Sequence, residues 1–400
     1  MMAAPRGAPV SEFDDEPLLK EAERQAGELR ERSAEIERGR RLPAAFVRSF
    51  DAAGFFRLCL PRSLGGPEAH PSLLVRVLEK LATGDASASW CAMIAATTSA
   101  LAAWLEPAAA RSIFSAPGAI AGGVFAPSGR ALRVEGGFSA SGRWSFASGC
   151  QHSTHLLGGC LVFDPGASDP ARTADGRRPD VRLLFFPADA VEIHDTWHVA
   201  GLCGTGSHHI AVRDRFVPES HAVSIISDAP REPGALYRFP VFGLLAIGVA
   251  SVSLGIARRA LDELEVLAVR KTPALSQRRL AERGAVQARV AEAEGLLGGG
   301  RAGLLATIDE VWRRAAEGGA LGVAERARVR IAASHAVLAA TRAVDVAWEL
   351  GGGSAIYLES PLQRLFRDAH VVTQHASVSG GSLELAGRAL LAVDGDLSIL

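Results

Sequence analysis

The chain has 400 residues, of which 43 are basic and 44 acidic, so its formal net charge is −1. A nucleic-acid-binding protein is expected to show a basic excess or a basic stripe. Here the arginine-rich stretches alternate with glutamate or apolar residues, as on a solvated helix face. The hydrophobic fraction of 48% and the charged fraction of 22% are typical of a globular protein, and this length suits two or three domains.

Cysteine usage and hydropathy argue against a metal site and a membrane span. The five cysteines are widely spaced without a C-x-x-C pair, so no zinc site is predicted. Their odd number, and a start at residues 1–10 that lacks the features of a signal peptide, indicate reduced thiols and a cytoplasmic location. Residues 241–257 are the most apolar stretch, but three glycines interrupt them and favour a buried helix over a transmembrane one.

The first region, to about residue 117, is predicted to be mostly helical. Apolar residues recur at helical spacing over 16–40. Pro43 suits the first turn of a second helix, which continues over 44–53. Segments 73–81 and 87–105 show the same periodicity.

The second region, about 118–232, is predicted to be mostly strand. Short apolar runs alternate with glycine- and proline-containing turns. The predicted strands are 132–134, 138–140, 156–163, 183–186 and 210–217. Gly136-Gly137 suits a hairpin turn, and 165–179 has the composition of a surface loop.

The third region, about 233–400, is predicted to form a helical bundle. Its long periodic segments predict four helices, and four helices of this length form a bundle. They are 241–269, 275–316, 322–350 and 361–391, the last with a break near 377–381. The glycine clusters do not fit G-x-G-x-x-G after a strand, so no nicotinamide site is predicted.

Four segments in this order resemble the acyl-CoA dehydrogenase superfamily over nearly the whole chain. They begin at Ala53-Gly54-Phe55-Phe56, at Gly142-Arg143-Trp144, at Asp195-Thr196-Trp197 and at Ser360-Pro361-Leu362. The resemblance implies an α+β fold with an N-terminal helical domain (1–117), a central β-barrel or β-sandwich domain (118–232) and a C-terminal four-helix bundle (233–400). It also implies a homotetramer.

One departure from the family pattern bears on function. Typical acyl-CoA dehydrogenases have a glutamate base eight residues after the arginine of the Arg-Asp-Ala motif; from Arg367 that position is His375, and Ala376 follows. The first bundle helix, 242–260, also contains no carboxylate. A dehydrogenase needs a positioned base, and neither position has one. Residues 144–149, the Asp195-Thr196-Trp197 stretch and His375 resemble the two-component flavin monooxygenases of the superfamily.

That resemblance implies a set of cofactors and partners. These enzymes take reduced FMN or FAD from a separate NAD(P)H:flavin reductase, form a C4a-hydroperoxyflavin with O2 and oxygenate a small substrate, here expected to be apolar or aromatic. Two alternatives remain open: an acyl-CoA or acyl-carrier-protein dehydrogenase with a displaced base, and a non-catalytic homologue that binds no flavin.

His375 and Ser148 are the candidate catalytic residues. An imidazole titrates near neutral pH and can act as a base or as a hydrogen-bond donor; the alternative is a buried structural histidine. Ser148 lies in the segment that would face flavin N5 and C4a, although Ser-Gly is also a common turn pair. Trp144 is expected to pack on the isoalloxazine ring, or else within its own strand.

Further residues are assigned by position in the resemblance. The expected cofactor contacts, besides Trp144 and Ser148, are Gly149, Thr205, Arg270, Gly352 and Gly353. The expected substrate pocket is lined by Trp90, His152, Phe242, Leu245 and Val249.

Overall fold

The computed structural model describes residues 15–319 and 321–400. Residues 1–10, used above to judge a signal peptide, lie outside this range. The described part of the chain begins with five α-helices. They are α1 (Asp15–Gly39), α2 (Ala44–Ala53), α3 (Pro71–Ala82), α4 (Ala86–Ser99) and α5 (Pro107–Phe114). Their apolar faces join those of the C-terminal helices in one large core.

Seven strands follow in one mixed sheet. They are β1 (Ala121–Val134), β2 (Gly137–Ala147), β3 (His155–Phe163), β4 (Val181–Pro187), β5 (Glu192–His194), β6 (His208–Pro218) and β7 (Ala222–Val223). The order across the sheet is β5-β6-β2-β1-β3-β4-β7, and β1–β3 is the parallel pair. The strands form one continuous sheet with β5 and β7 at its two ends, and it curves enough for Trp144 of β2 to contact Phe186 of β4 across a shared core.

Six helices complete the described chain. They are α6 (Ala235–Arg238), α7 (Val241–Arg270), α8 (Gly284–Ala316), α9 (Val323–Gly351), α10 (Pro361–Val372) and α11 (Gly380–Leu390). At one end of the bundle Arg330 donates to the Phe242 carbonyl, and at the other Lys271 donates to the Gly351 carbonyl. Helices α7 and α9 therefore run parallel and pack on each other, and α8, which connects them in sequence, packs antiparallel on α9.

Two predicted boundaries are corrected. The second bundle helix begins at Gly284, not at residue 275, because Leu275 has a positive φ of 62° and 280–282 form a separate 3-10 turn. The β1–β2 hairpin turn is centred on Glu135-Gly136, since Gly137 already pairs with Val134 in the sheet. The domain limits at 117/118 and 232/233 remain a proposal; both fall between regular elements.

Helices α3 and α4 approach α7 closely because α7 carries glycines at the contacts. A Cβ on Gly248 would lie 2.5 Å from Met93 Cγ, and one on Gly255 would lie 2.3 Å from the Glu79 carbonyl oxygen. Helix α4, which carries Trp90, is thereby held between α7 and the sheet.

Two segments of the described chain, 86–103 and 241–270, are long and apolar enough to span a membrane by length and composition alone. Their most apolar windows are 94% and 78% buried inside the protein. Protein therefore covers the apolar surface that a bilayer would otherwise cover, as is typical of core helices.

Candidate active site

A buried hydrogen bond joins helix α4 to the end of strand β2. Trp90 donates its indole N–H to Ser148 Oγ over 3.1 Å. Helix α4 begins in register for this contact because the Asp85 carboxylate caps it, accepting from the Ala88 N–H over 2.9 Å. Both Trp90 and Ser148 are buried.

The Ser148 hydroxyl belongs to a chain of hydrogen bonds in which every hydroxyl donates toward the Leu202 carbonyl. Thr205 donates to the Leu202 carbonyl over 2.8 Å, because a carbonyl can only accept. Ser207 lies 2.6 Å from Thr205 and must donate to it, so Ser148, 2.7 Å from Ser207, must donate to Ser207. Trp90 supplies the proton that Ser148 Oγ accepts. Each hydroxyl along this chain thus has both a donor and an acceptor.

The backbone around Ser148 is strained into position. Phe146 has a φ of 70°, which is rare for a residue with a side chain, and Gly149 has a φ of 71°. The Gly149 N–H donates to the Thr205 carbonyl over 2.9 Å, which joins the two loops that carry the hydroxyls. Such strain persists only where the surroundings impose it, and it is frequent at functional sites.

His375 completes this cluster from the turn after α10. Its ring meets the Trp90 ring edge to face, with 5.4 Å between centroids. Its Nδ1 accepts the Ser377 N–H over 3.2 Å. Because a backbone N–H can only donate, Nδ1 is unprotonated and the neutral ring carries its proton on Nε2.

His375 is neutral at physiological pH. Burial, and then the positive charge of Arg330, lower the pKa of His375 to about 4. The side chain is nevertheless partly accessible to solvent. His375 therefore lies between the buried Trp90–Ser148 pair and solvent, and this border is called the cleft below.

His152 has the same character. Burial lowers its pKa to about 4, while part of its side chain stays accessible. Its ring stacks on Phe56 with 5.8 Å between centroids. A Cβ on Gly149 would lie 2.9 Å from His152 Nε2, so Gly149 leaves room for this imidazole.

The three pocket residues predicted on α7 differ in exposure. Phe242 and Leu245 are partly exposed in the first turns of the helix and can line a pocket. Val249 is fully buried in the main core, so its predicted place in the pocket wall is corrected to a packing role. Spacings of three and seven residues place all three on one side of α7, so Val249 is buried because it lies about two turns farther along the helix, inside the core.

Trp144 is enclosed in the sheet and does not contact a cofactor face. It has no exposed surface, and its indole N–H donates to the Gly159 carbonyl over 2.7 Å. Its ring packs on Phe186 and fills space left by glycines; a Cβ on Gly158 would lie 2.5 Å from the indole. The prediction of ring stacking on flavin is therefore wrong, and packing within the strand is observed.

Arg270, Gly352 and Gly353 lie far from this cluster within the chain. Arg270 is at the opposite end of α7 from Phe242, roughly 40 Å away at the rise of an α-helix. It lines a surface cavity of about 180 Å³ with Glu263, Ser354 and other residues. Gly352 ends α9 with a φ of 51°. A cofactor role for this group therefore requires a neighbouring subunit.

Asp368 and Arg367 connect elements and do not face the cleft. Asp368 accepts the Leu202 N–H over 2.6 Å, and burial raises its pKa to about 7. Arg367 pairs with Glu37 of α1 over 2.6 Å. These contacts hold α10, and with it the His375 turn, against the loop that carries Thr205.

Sequence reasoning missed Ser207 and Arg330. Ser207 lies two residues after Thr205, but nothing in the sequence distinguished its hydroxyl from that of Thr205. Arg330 falls among Arg326 and Arg328 and was read as part of a solvated face. Its burial could have been predicted from its spacing, because Arg330 lies three residues from Ala327 and from Ala333 and shares the buried face of α9 with them.

Comparison with known proteins identifies the family. The model for the acyl-CoA dehydrogenase N-terminal domain matches residues 15–108, and that for the C-terminal domain matches residues 247–380. Indole-3-acetate monooxygenase of Pseudomonas putida is 32% identical over 384 residues, which cover 96% of this chain and 95% of that protein. The chain belongs to the acyl-CoA dehydrogenase family and is a flavin-dependent monooxygenase.

Two further relatives support the assignment of this chain to the flavin-dependent monooxygenases. The oxygenase component of the FADH2-dependent resorcinol hydroxylase of Rhizobium sp. is 31% identical over 385 residues, with 92% of each chain covered. XiaF of Streptomyces sp., solved in complex with FADH2 and glycerol, superposes with a TM-score of 0.86 at 27% identity, covering 95% of this chain and 96% of that one.

The residues of the cleft fit a reduced flavin. Ser148, Ser207 and Thr205 provide hydroxyls, and the Trp90 and His375 rings lie beside them. This combination of polar hydroxyls and ring faces suits the polar edge and the faces of an isoalloxazine. Within 15–319 and 321–400 no group of three or more histidine, cysteine, aspartate or glutamate side chains is arranged to hold a metal ion.

Proposed function

We propose that this monooxygenase is the oxygenase component of a two-component system. It takes reduced FMN or FAD from a separate NAD(P)H:flavin reductase and inserts one oxygen atom of O2 into a small aromatic or apolar substrate. The observation that carries the proposal is the meeting of Trp90, Ser148 and His375 in one cleft, with a neutral histidine at the position where a dehydrogenase has its carboxylate base. Relatives described as an oxygenase subunit or component support the partner reductase.

The bound flavin would supply the O2 chemistry, and the protein controls protons around it. Ser148 has one proton, which the free protein commits to Ser207. To donate to a cofactor, Ser148 must rotate away from Ser207. The Trp90 N–H keeps the Ser148 oxygen in place during this rotation, because it bonds the oxygen and not the proton.

His375 acts in this proposal as a hydrogen-bond donor and not as a base. Its Nδ1 is occupied by the Ser377 N–H, and its Nε2 carries the proton. A ring with a pKa of about 4 is neutral at pH 7, so it can donate to a reacting oxygen without adding charge to the cleft. A base role would require the other tautomer and the loss of the Ser377 bond.

The same geometry weakens the dehydrogenase alternative. Removal of a thioester α-proton needs an unprotonated base, and the free nitrogen of His375 is protonated. Asp368 is the nearest carboxylate in the sequence, and it is committed to the Leu202 N–H.

An isotope experiment tests the proposal. The protein is incubated with enzymatically reduced flavin, ¹⁸O2 and a panel of aromatic acids, phenols and indoles. The masses of the products are then measured by mass spectrometry. One ¹⁸O atom per product molecule is the expected result. Oxidation without incorporated label, or anaerobic flavin reduction by an acyl thioester, would support the dehydrogenase instead.

Location and assembly are part of the same proposal. All five cysteines are free, which suits a reducing compartment such as the cytoplasm. A homotetramer would bring Arg270, Gly352 and Gly353 of one subunit to the cofactor of another. Size-exclusion chromatography with light scattering tests the assembly, and a mass of one chain would contradict it.

A further inference from the structure

Arg330 is a buried guanidinium near the N-terminal end of α9 that forms no ion pair with any described residue. Its exposure is 4%. Its Nη1 donates to the Phe242 carbonyl over 3.0 Å. Its Nε is buried without a partner, and Nη2 forms no hydrogen bond within the described ranges. The neighbouring Arg328 differs, because it pairs at the surface with Glu310.

A charge in this position is costly unless something compensates it. Buried charges in proteins are normally paired and fully hydrogen-bonded. Burial lowers the pKa of Arg330 to about 10, so the group remains a cation at neutral pH. The free protein therefore holds a positive charge and unused donors in a poorly solvated place.

Arg330 belongs to the surroundings of the active-site cleft. Its bond to Phe242 places it at the start of α7, beside the partly exposed residues that line the pocket. Its positive charge is also close enough to His375 to help lower the pKa of that imidazole, after the larger effect of burial. The two unused donors, Nε and Nη2, lie on one edge of the guanidinium, and this edge pairs with a carboxylate through two parallel hydrogen bonds.

We propose that Arg330 binds the carboxylate of an aromatic acid substrate and so selects acids over neutral aromatics. The inference rests on the proposed function, because it assumes that the cleft holds the substrate. The carboxylate reaches Nη2 first, and a small side-chain shift then opens Nε, which is enclosed in the free protein. The aromatic ring is left between Phe242 and His375.

The inference agrees with the chemistry of one relative. The Pseudomonas putida protein is described as acting on indole-3-acetate, an aromatic acid. Resorcinol, the substrate in the name of another relative, has no carboxylate. Relatives of this chain therefore act on aromatic acids and on neutral aromatics, and Arg330 assigns this chain to the enzymes that act on acids.

Binding measured on matched ligand pairs tests the inference. The ligands are indole-3-acetate, phenylacetate and benzoate, each compared with its neutral amide, and Kd is measured anaerobically with reduced flavin present. The wild-type protein is expected to bind at least one acid ~30-fold more tightly than its amide, the scale on which buried charge pairs act. The variant Arg330→Met is expected to lose this preference, and Arg330→Lys to keep part of it.

The control variant is Arg328→Met, on the same helix, which should keep the full preference. Thermal unfolding of each variant shows whether it folds, and the wild-type ratio needs no variant at all. No acid preference in any of the three pairs, or a preference that Arg330→Met retains, would overturn the inference. Separate turnover assays with O2 distinguish the two proposals: oxygenation without acid preference overturns only the Arg330 assignment, whereas failure to oxygenate any aromatic ligand overturns the proposed function.

Discussion

At the scale of single residues, the direction of the hydroxyl chain is the feature that governs the active site. Each donor from Trp90 to Thr205 has one acceptor, and the last acceptor is a backbone carbonyl. The Ser148 proton is therefore available to a cofactor only if Ser148 leaves Ser207. The Trp90 N–H holds the Ser148 oxygen, and the free protein commits the Ser148 proton to Ser207.

Replacing the two serines separates these roles. Ser148→Ala removes the hydroxyl donor. We expect the fraction of consumed O2 that ends in product, and not in H2O2, to fall roughly tenfold, because the loss of one hydrogen bond changes a rate by about this factor. Ser207→Ala removes the acceptor that binds the Ser148 proton in the free protein, so the proton is free to bind the cofactor. The fraction of O2 that ends in product should therefore stay at or above the wild-type value. The measurement is product formed against H2O2 released. Equal losses in both variants would show that the chain acts only as a structural unit.

The buried histidine predicts a dependence of stability on pH. The pKa of His375 is about 4 in the folded protein, below its ordinary value of 6.5. The unfolded chain therefore binds the proton first as pH falls, and stability is lost between pH 6.5 and 4. At pH 5 this histidine should lower the free energy of unfolding by about 2 kcal/mol relative to pH 7.5.

His375→Gln should reduce that loss, measured as urea unfolding at pH 7.5 and pH 5. The exposed His335 offers the control, because His335→Gln should leave the pH dependence unchanged. An unaltered difference between the two pH values in His375→Gln would mean that the imidazole is hydrated or charged in the folded state.

At the scale of elements, glycines determine how closely helices and strands approach. In the sheet, Gly129, Gly142 and Gly158 accommodate the Trp144 indole. This explains why Trp144, within the segment that begins at Gly142, points into the core of the sheet. Alternation along a strand gives two faces, and the sequence does not say which face the cofactor occupies.

A pair of glycine variants tests this packing. Gly158→Ala places a methyl group 2.5 Å from the indole, and overpacking of this kind should lower the free energy of unfolding by about 2 kcal/mol. Gly27→Ala, in α1 with open space around it, should raise the free energy by about 0.5–1 kcal/mol, because alanine favours a helix. Chemical denaturation measures both. A neutral Gly158→Ala would mean that β3 can move away from Trp144.

At the scale of the whole molecule, the order of helices, sheet and bundle follows from the sequence because periodicity and turn residues change clearly at the two boundaries. The contact between Trp90, Ser148 and His375 was predictable only from family resemblance, since these residues are separated by 58 and 227 positions. Arg330 was not predictable, because a charged residue among other arginines resembles a solvated face. The start of α8 was also missed, because 275–283 keeps a helical composition while Leu275 has a positive φ.

The most direct test of the central claim follows reduced flavin as it meets O2 in the presence of this protein. The protein is mixed anaerobically with reduced FMN or reduced FAD, O2 is added, and flavin absorbance is recorded by stopped flow. The account predicts that oxidised flavin appears on a time course different from that of free flavin, and that Ser148→Ala returns it toward the free rate. Reoxidation indistinguishable from free flavin in the wild-type protein, for both flavins, would contradict the claim that this cleft binds reduced flavin and controls its reaction with oxygen.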